Sequence, residues 1–257
     1  RTERQTQNDF SRGSMARNIL QMALPMTVAQ LINILYNIVD RMYLGRLPGH
    51  LSLTGLGLCL PIISILMGFA NLCGMGGAPL CSIARGKGDL KGAEKILGNA
   101  FTMLLGTGIL LTLIGLLFKK PLLYAFGASD ATYPYADSYL TIYMLGTVFV
   151  MISLGLNSYI NAQGFARVGM ITTLIGAVLN IILDPIFIFV LDMGIQGAAI
   201  ATVIAQFVSF LWVVRFYRGP LALLRVRPRF LPPRGDLVRR IVILGSSPAF
   251  MISTEGI

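Results

Sequence analysis

The stretch Leu179-Asn180-Ile181-Ile182-Leu183-Asp184-Pro185 sets an asparagine and an aspartate one helical turn apart inside an otherwise apolar run from 168 to 191. About 20 apolar residues cross a bilayer as helix, so the run is long enough to span. A carboxylate inside such a run costs roughly 2.5–3.5 kcal/mol on insertion scales, and it therefore faces a bundle interior or a water-filled pathway. Pro185 adds a second irregularity. It has no N–H to give the carbonyl of Ile181, which leaves a backbone oxygen without its helical partner beside the carboxylate. Acid, amide and unpaired carbonyl together are what a proton or a small cation requires inside a membrane.

Apolar runs at 19–43, 51–83, 96–118, 139–160 and 195–216 accompany it, each 22 residues or longer and so about 33 Å or more as helix. The chain is 55% hydrophobic and 12% charged, against about 25% charged for soluble domains. The expectation is an all-α membrane protein: a polar tail (1–16), a six-transmembrane-helix bundle (17–217), a linker rich in Pro and Arg (218–240) that reads as a hinge on the membrane surface, and the start of a seventh helix (241–257), too short to cross. The run at 51–83 is over-long and contains Pro61, Gly74, Gly76, Gly77 and Pro79, so bends and an extension beyond the bilayer are expected.

A net charge of +10 would suit nucleic acid, but the basic residues sit in loops between apolar runs. Of 21 Lys and Arg, 17 fall on the tail, on the 85–95 loop, at Arg167 and between Arg215 and Arg240; Arg41, Arg46, Lys119 and Lys120 take the other side. The positive-inside rule then places the amino terminus and the linker in the cytoplasm of a multi-pass cell-membrane protein, with no nucleic-acid partner. Cys59, Cys73 and Cys81 lack metal-ligand spacing and read as buried thiols, and the single histidine, His50, excludes a histidine-based metal site or triad. No secretory cleavage pattern is present.

Arg17-Asn18-Ile19-Leu20 reaches Pro25 eight residues after its arginine, and Arg240-Ile241-Val242-Ile243 reaches Pro248 at the same distance. Six crossings separate the copies, so both run the same way through the membrane. That predicts a parallel duplication, six helices plus six, in a protein near twice this length, with a second six-helix lobe as partner.

In the first helix Gln30, Asn33, Asn37 and Asp40 are spaced three, four and three, on one face. Such a stripe is expected to be hidden against neighbours, as network partners of an ion site or as interhelical glue; Asp40 has the alternative of pairing with Arg41. Asp184 lies seven residues inside Leu191 and Thr202 seven inside Ile195, both about 10 Å below the outer surface. Asn180, one turn deeper, and Tyr139, opening the fourth helix, complete an outer pocket of Asp184, Asn180, Thr202 and Asp40. Thr202 has the alternative of bonding only its own backbone. Asn157 and Asn161 fall nearer the cytoplasm unless the fourth helix bends. The clusters Gly74–Gly77 and Gly194–Gly197 are followed by no Lys-Ser/Thr and read as close packing or a tight turn, not phosphate loops.

The order Leu24-Pro25, V-D-x-x-Y-L-G from Val39 to Gly45, G-x-x-x-A-P from Gly74, R-G-K-G-D from Arg85, N-A-Q-G from Asn161, N-x-x-x-D-P from Asn180 and G-x-x-G-A-A from Gly194 resembles the amino-terminal lobe of multidrug and toxin extrusion (MATE) transporters, closest to their DinF-like branch. The resemblance implies a twelve-helix antiporter that exports cationic or amphipathic compounds in exchange for H⁺ or Na⁺. It implies Asp40, Asn180, Asp184 and Thr202 as the cation site, Tyr139 and Asn157 as network partners and Pro25 as the point of bending in the first helix, with Pro185 a second hinge. No cofactor is expected beyond the coupling ion, and no metal beyond Na⁺ at Asp40, Asn180 and Asp184. A lipid-linked sugar flippase of the same fold is the alternative, disfavoured by the lack of an intramembrane Arg or Lys for a pyrophosphate. A channel or an intramembrane enzyme is the third reading, and the enzyme lacks a nucleophile-base pair.

Overall fold

The computed structural model describes residues 14–46 and 51–254; the tail at 1–13 and His50 lie outside them. Among the described residues there is no strand. Seven helices are long and apolar enough to cross a membrane by length and composition: α1 (Met15–Leu44), α2 (Leu51–Gly86), α3 (Leu90–Leu117), α5 (Tyr133–Ala162), α6 (Ala166–Pro185, continued by a π-turn, Ile186–Val190), α7 (Gly194–Arg218) and α8 (Gly235–Thr254). A short α4 (Lys119–Ala125) joins α3 to α5. The chain is a multi-pass membrane protein.

Helices α1 and α3 begin earlier than their apolar runs because a polar side chain caps each of them. The Ser14 hydroxyl accepts from the Arg17 N–H, starting α1 at Met15. The Asp89 carboxylate accepts from the Gly92 N–H at 2.8 Å and starts α3, directly after a turn in which Gly88 takes φ +79°. The 84–96 segment is therefore mostly helix, with a turn of three residues. Despite Pro61 and Pro79, α2 is one uninterrupted helix of 36 residues.

Helix α5 is the axis of the bundle. It packs on α2, α3, α6 and α7 and is the most buried of the spans. Its Tyr159, fully buried, donates to the Cys73 carbonyl at 2.9 Å over the bare face of Gly77. By contrast α1 lies along α6 at the margin, and its Ile19, Leu20, Leu24, Leu31, Ile34 and Leu35 are exposed. The three cysteines are free and buried. Two apolar cores stack along the bundle. One surrounds Tyr159 near the end where α1 starts (the near end), and the other surrounds Tyr139 and Ile188 at the far end.

Two features differ from the expected domain layout. Helix α8 starts at Gly235 rather than Ile241, is 20 residues long, and lies against α2. The seam is made of small residues: a methyl added at Gly76 would strike the Ile241 carbonyl, one at Gly245 the Leu72 carbonyl, and one at Gly68 the Ser253 side chain. The linker, read as a hinge, is strapped down. Glu94 accepts from the Arg225 N–H and pairs with the Arg227 guanidinium at 2.8 Å. Gln163 accepts from the Leu224 N–H, the Thr102 hydroxyl donates to the Leu231 carbonyl at 2.7 Å, and Asn99 bridges the Phe230 carbonyl and the Arg234 N–H. Backbone groups of an irregular segment need partners, and α3 and α5 supply them.

Asn99→Ala removes the bonds to Phe230 and Arg234 and leaves only that of Thr102 to Leu231 in this part of the strap. With a net worth of about 1 kcal/mol per bond and more where a partner stays buried and unpaired, the loss is about 2 kcal/mol. The expected result is faster tryptic cleavage at Arg227, Arg229 and Arg234 in detergent, with a lower melting temperature. Cleavage at the unsubstituted rate would mean that the strap is held by other groups.

Candidate cation site

The seam between α1 and α6 carries the first half of the site. Residues of α1 that are buried or half-buried fall at 18, 22, 25, 28, 29, 32, 36, 39, 40, 43 and 44, recurring every three or four positions as a packed helical seam does. Asp40 and Tyr36, one turn apart, stand on it. The Asp40 carboxyl lies beside the Asp184 carboxyl. Asp184 is completely buried, and neither of its oxygens has a donor; Asp40 Oδ1 is likewise buried and unpartnered. No ion pair to Arg41 forms among the described residues, so the surface pairing weighed for Asp40 is not made.

The second half comes from α6 and α7. The Asn180 amide donates to the Thr202 hydroxyl at 3.0 Å, and that hydroxyl donates to the Ala198 carbonyl at 3.0 Å. Thr202 thus bonds its backbone and the site at once. Asn180 is 1% exposed, and its Oδ1 also lacks a donor. Asn180 stands one turn along α6 from Asp184, on the same face.

Local backbone chemistry explains how these groups are held. Pro185 has no N–H, and α6 gives way after it to the π-turn at Ile186–Val190. A π-turn inside a helix widens it by a residue and commonly marks functional sites. Gly194, at φ +55°, opens α7, and a Cβ at Gly197 would strike the Phe187 carbonyl. Only glycine lets α7 approach the π-turn so closely, and that approach brings Thr202 to Asn180.

A wall of tyrosines closes the site. Tyr139, buried, lies near Asp40 and Tyr36, and its ring stacks on Tyr143 with centroids 6.2 Å apart. Tyr36 lies beside Thr202. Tyr36 and Tyr143 were not among the residues singled out from sequence. The available signal was spacing: Tyr36 precedes Asp40 by four residues, as Asn180 precedes Asp184.

The structure therefore brings Asp40, Asn180, Asp184, Thr202 and Tyr139 together. It keeps four others apart. Gln30, Asn33 and Asn37 are exposed, each one position, about 100°, beyond the seam residues 29, 32 and 36. The Asn37 amide turns back to the Asn33 carbonyl at 2.8 Å. The stripe expected to be hidden against neighbours is open in this chain. Asn157 bonds the Gly169 carbonyl at 3.4 Å, eleven residues before Asn180 on α6, about 16 Å away as helix. Of the two hinges, Pro25 is buried on the α1 seam within continuous helix, and Pro185 begins the π-turn.

The far-end site thus gathers four buried oxygens that lack donors: Asp40 Oδ1, both oxygens of Asp184 and Asn180 Oδ1. Such a set fits H⁺ or Na⁺. Among the described residues no cluster of three or more His, Cys, Asp or Glu is assembled for a transition metal.

Comparison with known proteins agrees with this architecture. The chain is 27% identical over 244 residues to multidrug export protein MepA of Staphylococcus aureus (strain MRSA252), covering 95% of this chain and 54% of the relative. It is 29% identical over 243 residues to MepA of Staphylococcus haemolyticus (strain JCSC1435), with the same coverage. The chain spans about half the length of the curated relatives it matches. Its fold superposes on a crystal structure of MATE in complex with MaD3S with a TM-score of 0.88 at 25% identity, over 94% of this chain and 54% of the other. It also superposes on the outward-facing conformation of a multidrug resistance MATE family transporter with a TM-score of 0.86 at 24% identity, over 93% and 53%. The MatE family profile matches residues 25–186, the segment that runs from the proline of α1 to the π-turn after Asp184, and the chain belongs to that family.

Proposed function

We propose that this chain is the amino-terminal lobe of a secondary antiporter that exports cationic or amphipathic drugs in exchange for H⁺ or Na⁺. The observation that supports it is the neighbourhood of Asp40 and Asp184: a fully buried carboxyl beside a half-buried one, with three buried oxygens and no donor to them. Two ionised carboxylates in one dry site repel strongly, and a bridging proton or cation removes the repulsion. Asn180, Thr202, Tyr36 and Tyr139 hold the surrounding geometry.

Ion occupancy and helix arrangement are coupled in this reading. The carboxyls stand on different helices, so an ion draws α1 and α6 together, and its departure drives them apart. Pro25 lacks the N–H that would bond the Gln21 carbonyl, and Pro185 precedes the π-turn, so both helices have a place to bend. Substrate and ion then compete through two states rather than by contact. The near end, rich in Arg and Lys, faces the cytoplasm of the cell membrane, so the far-end site loads from outside. A second six-helix lobe, entered through α8, faces α1 and α2. The open stripe of Gln30, Asn33 and Asn37 would then line the substrate path between lobes.

The test is uptake of a fluorescent cation into liposomes carrying the complete two-lobe protein, with H⁺ and Na⁺ gradients imposed separately. Transport driven by one gradient and dissipated by its ionophore is the expected result; conduction without a gradient would make the protein a channel and overturn the reading. Thr202→Val tests the geometry. It keeps the shape of the side chain and strips the Asn180 amide of its acceptor, at a cost of about 1–3 kcal/mol. The apparent affinity for the coupling ion should fall by about tenfold with expression retained, and unchanged ion dependence would remove Thr202 from the site.

A further inference from the structure

A groove of about 740 Å³ opens on the near end of the bundle, between α6, the last turns of α7 and the start of the strap. Val168, Leu211, Trp212, Arg215, Arg218 and Leu221 line it, and no carboxylate does. Arg215 and Arg218 are exposed and form no ion pair among the described residues. The first contact of the strap with an acid, Glu94, is made further along by Arg225 and Arg227. Two guanidinium groups thus stand together without a counter-charge.

One face of α7 leads into this groove. Ile204, Phe207, Leu211, Arg215 and Arg218 are spaced three, four, four and three, so they form a single exposed stripe. Ile204 is 36%, Phe207 39% and Leu211 48% exposed. The stripe is apolar through the membrane and doubly cationic at its end, with Trp212 beside the boundary, where indole rings favour the interface. The ligand that matches is an amphiphile with an apolar chain and an anionic head.

We infer that this groove is a binding site for an anionic phospholipid, with the phosphate on Arg215 and Arg218 and an acyl chain along Leu211, Phe207 and Ile204. A guanidinium binds phosphate oxygens through paired N–H donors. Basic pockets between helices at the cytoplasmic face hold lipid head groups in the same way. The face is free to meet lipid: the groove includes no residue of α1, α2 or α8, and α8 leaves the bundle on the α2 side. The site is independent of the ion site and takes from the proposed function only the leaflet, the cytoplasmic one.

The experiment is native mass spectrometry of the complete two-lobe protein in detergent, with phosphatidylglycerol or phosphatidylethanolamine added. Retention of phosphatidylglycerol over phosphatidylethanolamine is expected. R215Q/R218Q should lower phosphatidylglycerol occupancy by about tenfold or more, from the attraction of two basic residues. R229Q/R239Q, an equal loss of charge on the same side, should leave it unchanged, and L211W, which keeps both arginines and fills the groove, should also lower it. Equal loss in the two charge variants would reduce the effect to general surface charge and overturn the site; so would equal retention of both lipids, or full binding by L211W. Displacement of the lipid by inorganic phosphate alone would make the ligand a free anion and overturn the assignment to lipid. Should R215Q/R218Q elute as aggregate, L211W carries the decision. Because the readout is lipid occupancy, failure of ion-coupled transport leaves it untouched.

Discussion

Asp184→Asn is expected to abolish gradient-driven efflux while expression and membrane insertion stay at the level of the unsubstituted protein. The reason lies in what the asparagine does to the pair. Its amide donates to Asp40, so the site gains the hydrogen bond that the two carboxylates cannot make without an ion. The cost of a buried charge lacking a partner is several kcal/mol, and the substitution removes it permanently. The variant is therefore held in the arrangement of the occupied state, with nothing for a gradient to drive. Two measurements decide it. Transport in liposomes should fall to background, a loss of two orders of magnitude or more on the scale set by a differential of about 3 kcal/mol between states. The melting temperature of the unsubstituted protein should rise with the coupling ion, because a ligand that binds only the folded state stabilises it, and that of the variant should not. Transport at the original rate would take Asp184 out of the mechanism.

Gly245→Val is expected to undock α8 from α2. The seam brings two backbones together with nothing between them, because a side chain at Gly245 strikes the Leu72 carbonyl and one at Gly76 strikes the Ile241 carbonyl. Backbone cannot move aside as a flexible side chain does. Overpacking costs about 1–3 kcal/mol in an ordinary core, and here the whole α8 contact is at stake, since α8 rests mainly on this one face. Close packing of small residues is the means by which helices associate in lipid. A direct readout is the melting temperature in detergent: G245V should lower it, whereas G57A, at a glycine of α2 with no atom within 4 Å of the added carbon, should leave it unchanged. An unchanged melting temperature in G245V would show that the seam tolerates a larger residue.

The corrections share one cause. Gln30, Asn33 and Asn37 are polar and evenly spaced, and a polar stripe in a span reads as an inward face. The seam that α1 presents to α6 runs one residue away from it, through Pro25, Ile32 and Tyr36. Polarity alone cannot tell a face turned to the bundle from one turned to an aqueous cleft. The strap shows the same limit. Its Pro and Arg content reads as a loose hinge, yet Glu94, Asn99, Thr102 and Gln163, scattered over two helices, pin it at intervals.

The amino-acid sequence by itself determined the membrane and six of the seven apolar helices, because insertion into lipid is governed by local runs of apolar residues; the seventh begins with a polar turn at Gly235 that lies outside its apolar run. Depth arithmetic along each helix also brought Asp40, Asn180, Asp184 and Thr202 to one level. Only the tertiary structure decided which way each helix is turned. Rotation about a helix axis is set by the neighbours it packs against, by a glycine such as Gly197 that admits the π-turn and by a tyrosine such as Tyr36 that meets Thr202, and those contacts join residues far apart in the chain.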